Sequence, residues 1–165
     1  MTLLLLIFIL VVPYIFLTLA KRLSPSFVSQ PITRARLALS FFFAYTALMH
    51  FISTDGLIKM LPSTFLFRSE IIYLVGALEL FGAIGLLIPR LVRAAGVYLI
   101  VMLAVLLPAN IYSAFNYIDF AGQGIGPVFL LVRIPFQYLL ICLAYWSTGQ
   151  KWFEVQTQYA KLSLR

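Results

Sequence analysis

Long apolar stretches alternate with short polar connections along most of this chain. Five stretches of about 20 residues are apolar enough to form helices about 30 Å long, the thickness of the hydrocarbon core of a membrane. They cover residues 2–20, 37–54, 71–87, 94–115 and 128–147. The pattern predicts an all-α fold, a polytopic membrane helix bundle with five spans in a single transmembrane domain.

The composition excludes an ordinary soluble domain. Hydrophobic residues make up 63% of the chain and charged residues 10%, whereas soluble domains are about 45–50% apolar. The first apolar stretch has no Lys or Arg before it and no A-x-A-like cleavage site after it. We therefore expect a retained helix there rather than a cleaved signal peptide.

The basic residues predict the orientation of the bundle. Nine of the twelve fall in the first and third connections and in the C-terminal tail: Lys21, Arg22, Arg34, Arg36, Arg90, Arg93, Lys151, Lys161 and Arg165. Because short basic connections stay in the cytoplasm, we expect the N-terminus outside and the C-terminus inside. This asymmetry accounts for most of the net charge of +7. We expect contact with membrane lipid headgroups and no nucleic-acid partner.

The third stretch carries a carboxylate, Glu79, near its middle. A charged side chain at that depth costs at least about 2.5–3.5 kcal/mol, so it normally faces protein or water and has a partner. The same stretch contains Gly76, Gly82 and Gly85, small residues that let helix backbones approach closely. We predict that this helix lies at the centre of the bundle.

Polar residues of four predicted spans lie at a similar depth. Counted from the predicted outer end of each span, Glu79 lies about 12 Å deep, Arg133 and Asn110 about 8 Å, and His50 about 6 Å. The helices alternate in direction, so this agreement is not imposed by the topology. It predicts one polar cluster in the outer half of the membrane.

A direct ion pair between Glu79 and Arg133 is the main structural prediction for this cluster, because each charge would be costly alone. Gln137, Asn110 and Tyr73 are candidates for the remaining hydrogen bonds, and His50 is a candidate titrating member. Such a cluster has two interpretations. It either locks the helix bundle or lines a pocket, open to the outer side, that binds a polar headgroup.

Several chemistries are excluded by counting residues. Cys142 is the only cysteine, so no C-x-x-C pair and no cysteine-ligated cluster exists; we interpret it as an apolar packing residue. A single histidine rules out bis-histidine haem ligation within one chain and leaves only His/Met ligation open. His50 and Glu79 are too few ligands for a metal site. We expect no metal and no intrinsic cofactor.

The connection at residues 55–70, DGLIKMLPSTFLFRSE, alternates apolar and polar residues around Pro62. It is too short and too interrupted to span a membrane. We predict a short helix or a re-entrant flap on the outer surface.

Several segments together resemble the DoxX-like family of small bacterial membrane proteins, over roughly residues 35–148. They are MHF at 49–51, KMLP at 59–62, YLVGALELFGAIGLLIPRLVRAAG at 73–96, LPANIYSAF at 107–115 and RIPFQYLL at 133–140. The resemblance implies a four-helix core with the first helix as an addition, in a bacterial inner membrane. It also implies a link to redox chemistry, since family members are named for a subunit of a thiosulfate:quinone oxidoreductase.

Three hypotheses follow, and whether the protein is an enzyme stays open among them. The first is a subunit that binds a quinone or similar amphiphile and serves a membrane-bound or soluble redox partner, the quinone being the one cofactor considered. The second is an accessory or assembly subunit whose polar cluster is structural. The third is a small-solute transporter. A homo-oligomer is compatible with all three.

Overall fold

The computed structural model describes the backbone of residues 3–23, 30–118 and 123–163, and the side chains of 4–20, 30–118 and 124–149. Within these ranges the chain is almost entirely helical and contains no strand. The helices are α1 (Leu3–Leu23), α2 (Pro31–Ile52), α3 (Thr54–Ile58), α4 (Arg68–Leu87), α5 (Val92–Phe115) and α6 (Leu130–Ser163), with a 3₁₀ segment, Gln123–Phe129, before α6. The predicted all-α helix bundle is confirmed.

Four helical stretches are long and apolar enough to cross a membrane: α2, α4, α5 and residues 124–149, which include the first part of α6. The first predicted span, residues 2–20, corresponds to a shorter apolar helix, Leu4–Ala20. The chain is a multi-pass membrane protein with four long apolar helices and one shorter N-terminal helix.

Two helix boundaries differ from the prediction by more than three residues. Helix α2 begins at Pro31 rather than at residue 37, because Arg34 and Arg36 interrupt the apolar run but not the helix. Proline suits the first helical turn, where its missing N–H is not needed. Helix α6 continues to Ser163, past the predicted end at residue 147. The side chains of Lys21 and Arg22 and of the C-terminal tail, on which the predicted orientation partly depends, lie outside the described residues.

Helices α2 and α4 pack closely as an antiparallel pair. The Ser40 hydroxyl donates a hydrogen bond to the carbonyl oxygen of Ala83 over 2.8 Å, and Gly76 of α4 lies against Ala47 and His50 of α2. Further along, the core is apolar and includes the fully buried Leu39, Phe43, Leu86 and Leu99. Helix α1 joins this core through Leu6, Ile9 and Leu10.

Replacing Gly76 with alanine is expected to destabilise the bundle by about 1–3 kcal/mol, the usual cost of overpacking. A Cβ atom there would lie 2.7 Å from the Cβ of His50 and 3.2 Å from the carbonyl oxygen of Ala47. Neither atom is the free end of a flexible side chain. At Gly149 the nearest atom would be 3.8 Å away, so Gly149→Ala should be neutral or slightly stabilising, since alanine favours helix. Unfolding in SDS followed by circular dichroism measures both; equal midpoints would contradict the close α2–α4 contact.

The segment between α2 and α4 forms a short helix, α3, followed by turns. Of the two predicted conformations, a short helix or a re-entrant flap, the structure shows a short helix over Thr54–Ile58, and this helix packs against α4. Phe67, immediately before α4, has a positive φ of 58°, which is unusual for a bulky residue. Cys142 on α6 is exposed, so the interpretation of this residue as a packing residue is wrong: it lies on the outward face of its helix.

Candidate functional site

A cavity of about 170 Å³ lies inside the bundle, where α2 and α5 end and α4 and α6 begin. Most of its lining residues are apolar, including Leu6 of α1, Phe42 of α2, Leu57 of α3 and Leu103 of α5. The polar lining residues are Thr46, His50, Ser53, Glu79, Asn110, Arg133 and Gln137. The cavity is therefore an apolar chamber into which four helices bring polar side chains.

Five of the six residues predicted for the site line this cavity: Glu79, Arg133, Asn110, His50 and Gln137. The four residues predicted to share a depth lie on four different helices and line one cavity. Tyr73 is not among the lining residues. It is 45% exposed, and its ring stacks on that of Phe51 with the centroids 5.8 Å apart. Tyr73 precedes Glu79 by six residues, so the two side chains point about 120° apart around the helix axis.

Glu79 lies nearest to His50 and not to Arg133. The Glu79 side chain is buried, and its Oε2 atom lies 3.4 Å from Nδ1 of His50. The predicted direct ion pair with Arg133 is wrong, because in the described part of the chain these two side chains line one cavity without contact. Helix α4 packs on α2 and α5, whereas α6 packs on α5 and α2. The carboxylate therefore meets the histidine of the adjacent helix, and Arg133 acts on it over a longer distance.

The tautomer of His50 follows from a second contact. Its Nδ1 atom lies 2.9 Å from the carbonyl oxygen of Thr46, and a carbonyl oxygen can only accept, so Nδ1 carries the hydrogen. The hydrogen points to the carbonyl oxygen of Thr46, 2.9 Å from Nδ1, because Oε2 of Glu79 is farther away, at 3.4 Å. The Thr46 side chain also interacts with Glu79. Sequence reasoning missed Thr46, although its spacing of four residues from His50 puts both on one face of α2.

The two amide side chains attach to backbone carbonyl groups. Gln137 donates from Nε2 to the carbonyl oxygen of Leu103 over 2.5 Å, linking α6 to α5. Asn110 donates from Nδ2 to the carbonyl oxygen of Leu106 over 3.0 Å, within α5. Both side chains are buried. Their N–H groups hold the wall of the cavity by binding to the backbone of α5.

The charged groups of the cavity are not fully satisfied by the protein. Oε2 of Glu79 and Nε of Arg133 are buried and have no hydrogen-bond partner among the described residues. A buried charged group without its hydrogen bonds costs free energy, so this arrangement suits a site that receives a polar group from outside the chain. No set of three His, Cys, Asp or Glu side chains in the described ranges is arranged to hold a metal ion.

A family model matches most of the chain. The model of a domain of unknown function, DUF8561, matches residues 39–148. The chain belongs to this family. The DUF8561 domain contains every polar residue that lines the cavity, whereas α1 and Leu6 lie outside it. No curated protein and no solved structure matches the chain.

Proposed function

We propose that this protein is a membrane subunit located in the bacterial inner membrane. It binds a quinone or a similar amphiphile in the cavity and serves a redox partner. One observation carries the proposal: an apolar chamber of about 170 Å³ receives polar side chains from four helices. Small-molecule sites are typically apolar clefts with a few convergent polar groups. The resemblance to DoxX-like proteins, which spans nearly the same residues as the DUF8561 domain, supports the link to quinones.

The residues have separate roles in this proposal. Arg133 donates a hydrogen bond to an oxygen of the ligand head, whereas His50, with its ring hydrogen on Nδ1, can only accept one at Nε2. Glu79 orients the arginine at a distance or relays a proton, and the Nδ1–H group of His50 lies 3.4 Å from its Oε2 atom. The redox-active centre belongs to the partner protein, and the predicted orientation of the bundle puts the cavity in the outer half of the membrane.

Titration of the purified protein in quinone-free lipid nanodiscs with decylubiquinone tests this function. We expect saturable binding by isothermal titration calorimetry after subtraction of empty nanodiscs. Arg133→Lys keeps the charge but loses the forked donors, so it should weaken binding about tenfold, the effect of one charge-assisted hydrogen bond.

Tyr73→Phe provides the matched control, because Tyr73 lies outside the cavity lining and should bind the quinone as the wild type does. The proposed function fails if the wild-type protein shows no saturable binding and releases no quinone on organic extraction.

A second candidate is an accessory or assembly subunit in which the polar cluster only holds the helices together. The hydrogen bond from Gln137 to Leu103 favours it, because this bond links α6 to α5. A stable double variant, Glu79→Gln with Arg133→Gln, distinguishes the two: it keeps its cellular role if the cluster is structural and loses that role if the cluster binds a ligand.

A further inference from the structure

Two opposite charges line the same cavity without meeting. Glu79 is 5% exposed, and its Oε2 atom has no hydrogen-bond partner among the described residues. Nδ1 of His50 lies 3.4 Å from that atom, but its hydrogen already points to the carbonyl oxygen of Thr46 at 2.9 Å. Arg133 of α6 lines the same cavity, and its buried Nε has no partner in the described part of the chain.

The chemistry of these two groups defines what complements them. An ionised carboxylate only accepts hydrogen bonds, and a guanidinium only donates them. Whatever occupies the cavity must therefore supply a donor to Glu79 and an acceptor to Arg133. Water can do both, so a ligand that displaces this water loses affinity unless its own head replaces both hydrogen bonds.

We propose that the ligand is an amphiphile whose head carries a hydroxyl group, as in a phenol or a hydroquinone. The hydroxyl donates a hydrogen bond to Glu79, an oxygen of the same head accepts one from Arg133, and the apolar part lies among the apolar lining residues. This inference rests on the proposed function, since it specifies the ligand of the same cavity. It implies that the hydroxyl-bearing, reduced form of a quinone binds more tightly than the oxidised form.

An acceptor-only head fits the same cavity less well. A ketone or an ether can accept from Arg133, but it gives Glu79 nothing. Oε2 of Glu79 would then stay buried without a hydrogen bond. A site built to accept a hydrogen bond from a ligand hydroxyl rejects an analogue that lacks the hydroxyl.

Two probes that differ in a single hydrogen-bond donor test the inference: 4-pentylphenol and its methyl ether, 4-pentylanisole. In the wild-type protein we expect the phenol to bind at least about tenfold more tightly, because its hydroxyl donates to a charged acceptor. In the Glu79→Gln variant the acceptor is a neutral amide, so the preference for the phenol over its methyl ether should fall to about threefold or less. Calorimetry in nanodiscs, with empty nanodiscs subtracted, gives both ratios.

Glu70→Gln is the matched control, since it removes an exposed carboxylate from the same helix, α4, away from the cavity lining. It should keep the wild-type preference. Equal affinities of the wild-type protein for phenol and anisole, with both binding saturably, would overturn this inference and leave the proposed function standing. Absence of saturable binding for both probes and for decylubiquinone would overturn the proposed function as well. The wild-type comparison decides even where Glu79→Gln fails to fold.

Discussion

Glu79→Gln alone is expected to lower the free energy of unfolding by about 3 kcal/mol, because it leaves the buried Arg133 guanidinium without an opposite charge. Arg133→Gln alone should cost less. In that variant the Glu79 carboxylate can become neutral by taking up a proton, whereas a guanidinium cannot give its proton up. The double variant should lose less stability than the two single losses added together, since neither charge is then left alone.

Unfolding in SDS followed by circular dichroism measures all three variants. Glu70→Gln serves as the control on the same helix, and its exposed carboxylate should contribute within about 0.5 kcal/mol of zero. Additive losses in the double variant would contradict an electrostatic coupling of Glu79 and Arg133 through the cavity. A loss in Arg133→Gln equal to that in Glu79→Gln would contradict this difference between the carboxylate and the guanidinium.

Ala109→Phe is expected to abolish ligand binding, with an affinity more than about 100-fold lower, while the bundle stays folded. Ala109 of α5 lines the cavity beside Asn110, so a phenyl ring at this position occupies the space that the ligand head requires. Because the ring enters an existing cavity, it does not have to displace close-packed neighbours, which is what usually makes such substitutions costly.

Ala104→Phe is the matched control, because Ala104 lies on the same helix but is exposed on its outward face. It should bind decylubiquinone as the wild-type protein does, and both variants should unfold at nearly the wild-type SDS concentration. If Ala109→Phe binds the quinone normally, the ligand does not occupy this cavity. If it fails to fold, Ala109→Leu places a smaller side chain in the same space.

The helices could be predicted from the sequence because hydrocarbon requires the same thing of every span, an uninterrupted apolar helix of sufficient length. Their exact ends could not. The charges at Arg34 and Arg36 end an apolar run without ending a helix, so α2 begins at Pro31, one and a half turns before the predicted start.

The membership of the site could be predicted in part, because depth depends only on helix rise and on the direction of each span. Depth says nothing about which face of a helix a residue occupies. Tyr73 was predicted to belong to the site, yet its side chain points away from the cavity. The partner of Glu79 was predicted wrongly for a related reason. Whether His50 or Arg133 lies nearer depends on how closely α2 approaches at Gly76, and this is a property of the packing.

The wall that Leu6 contributes has a further consequence. The DUF8561 domain supplies all the chemistry of the cavity, whereas α1, which lies outside that domain, closes one of its sides. The polar side chains of the cavity and this part of its apolar wall thus belong to separate parts of the chain. A substitution at Leu6 can therefore reshape the apolar wall of the cavity without altering any of the polar side chains that would contact a ligand head.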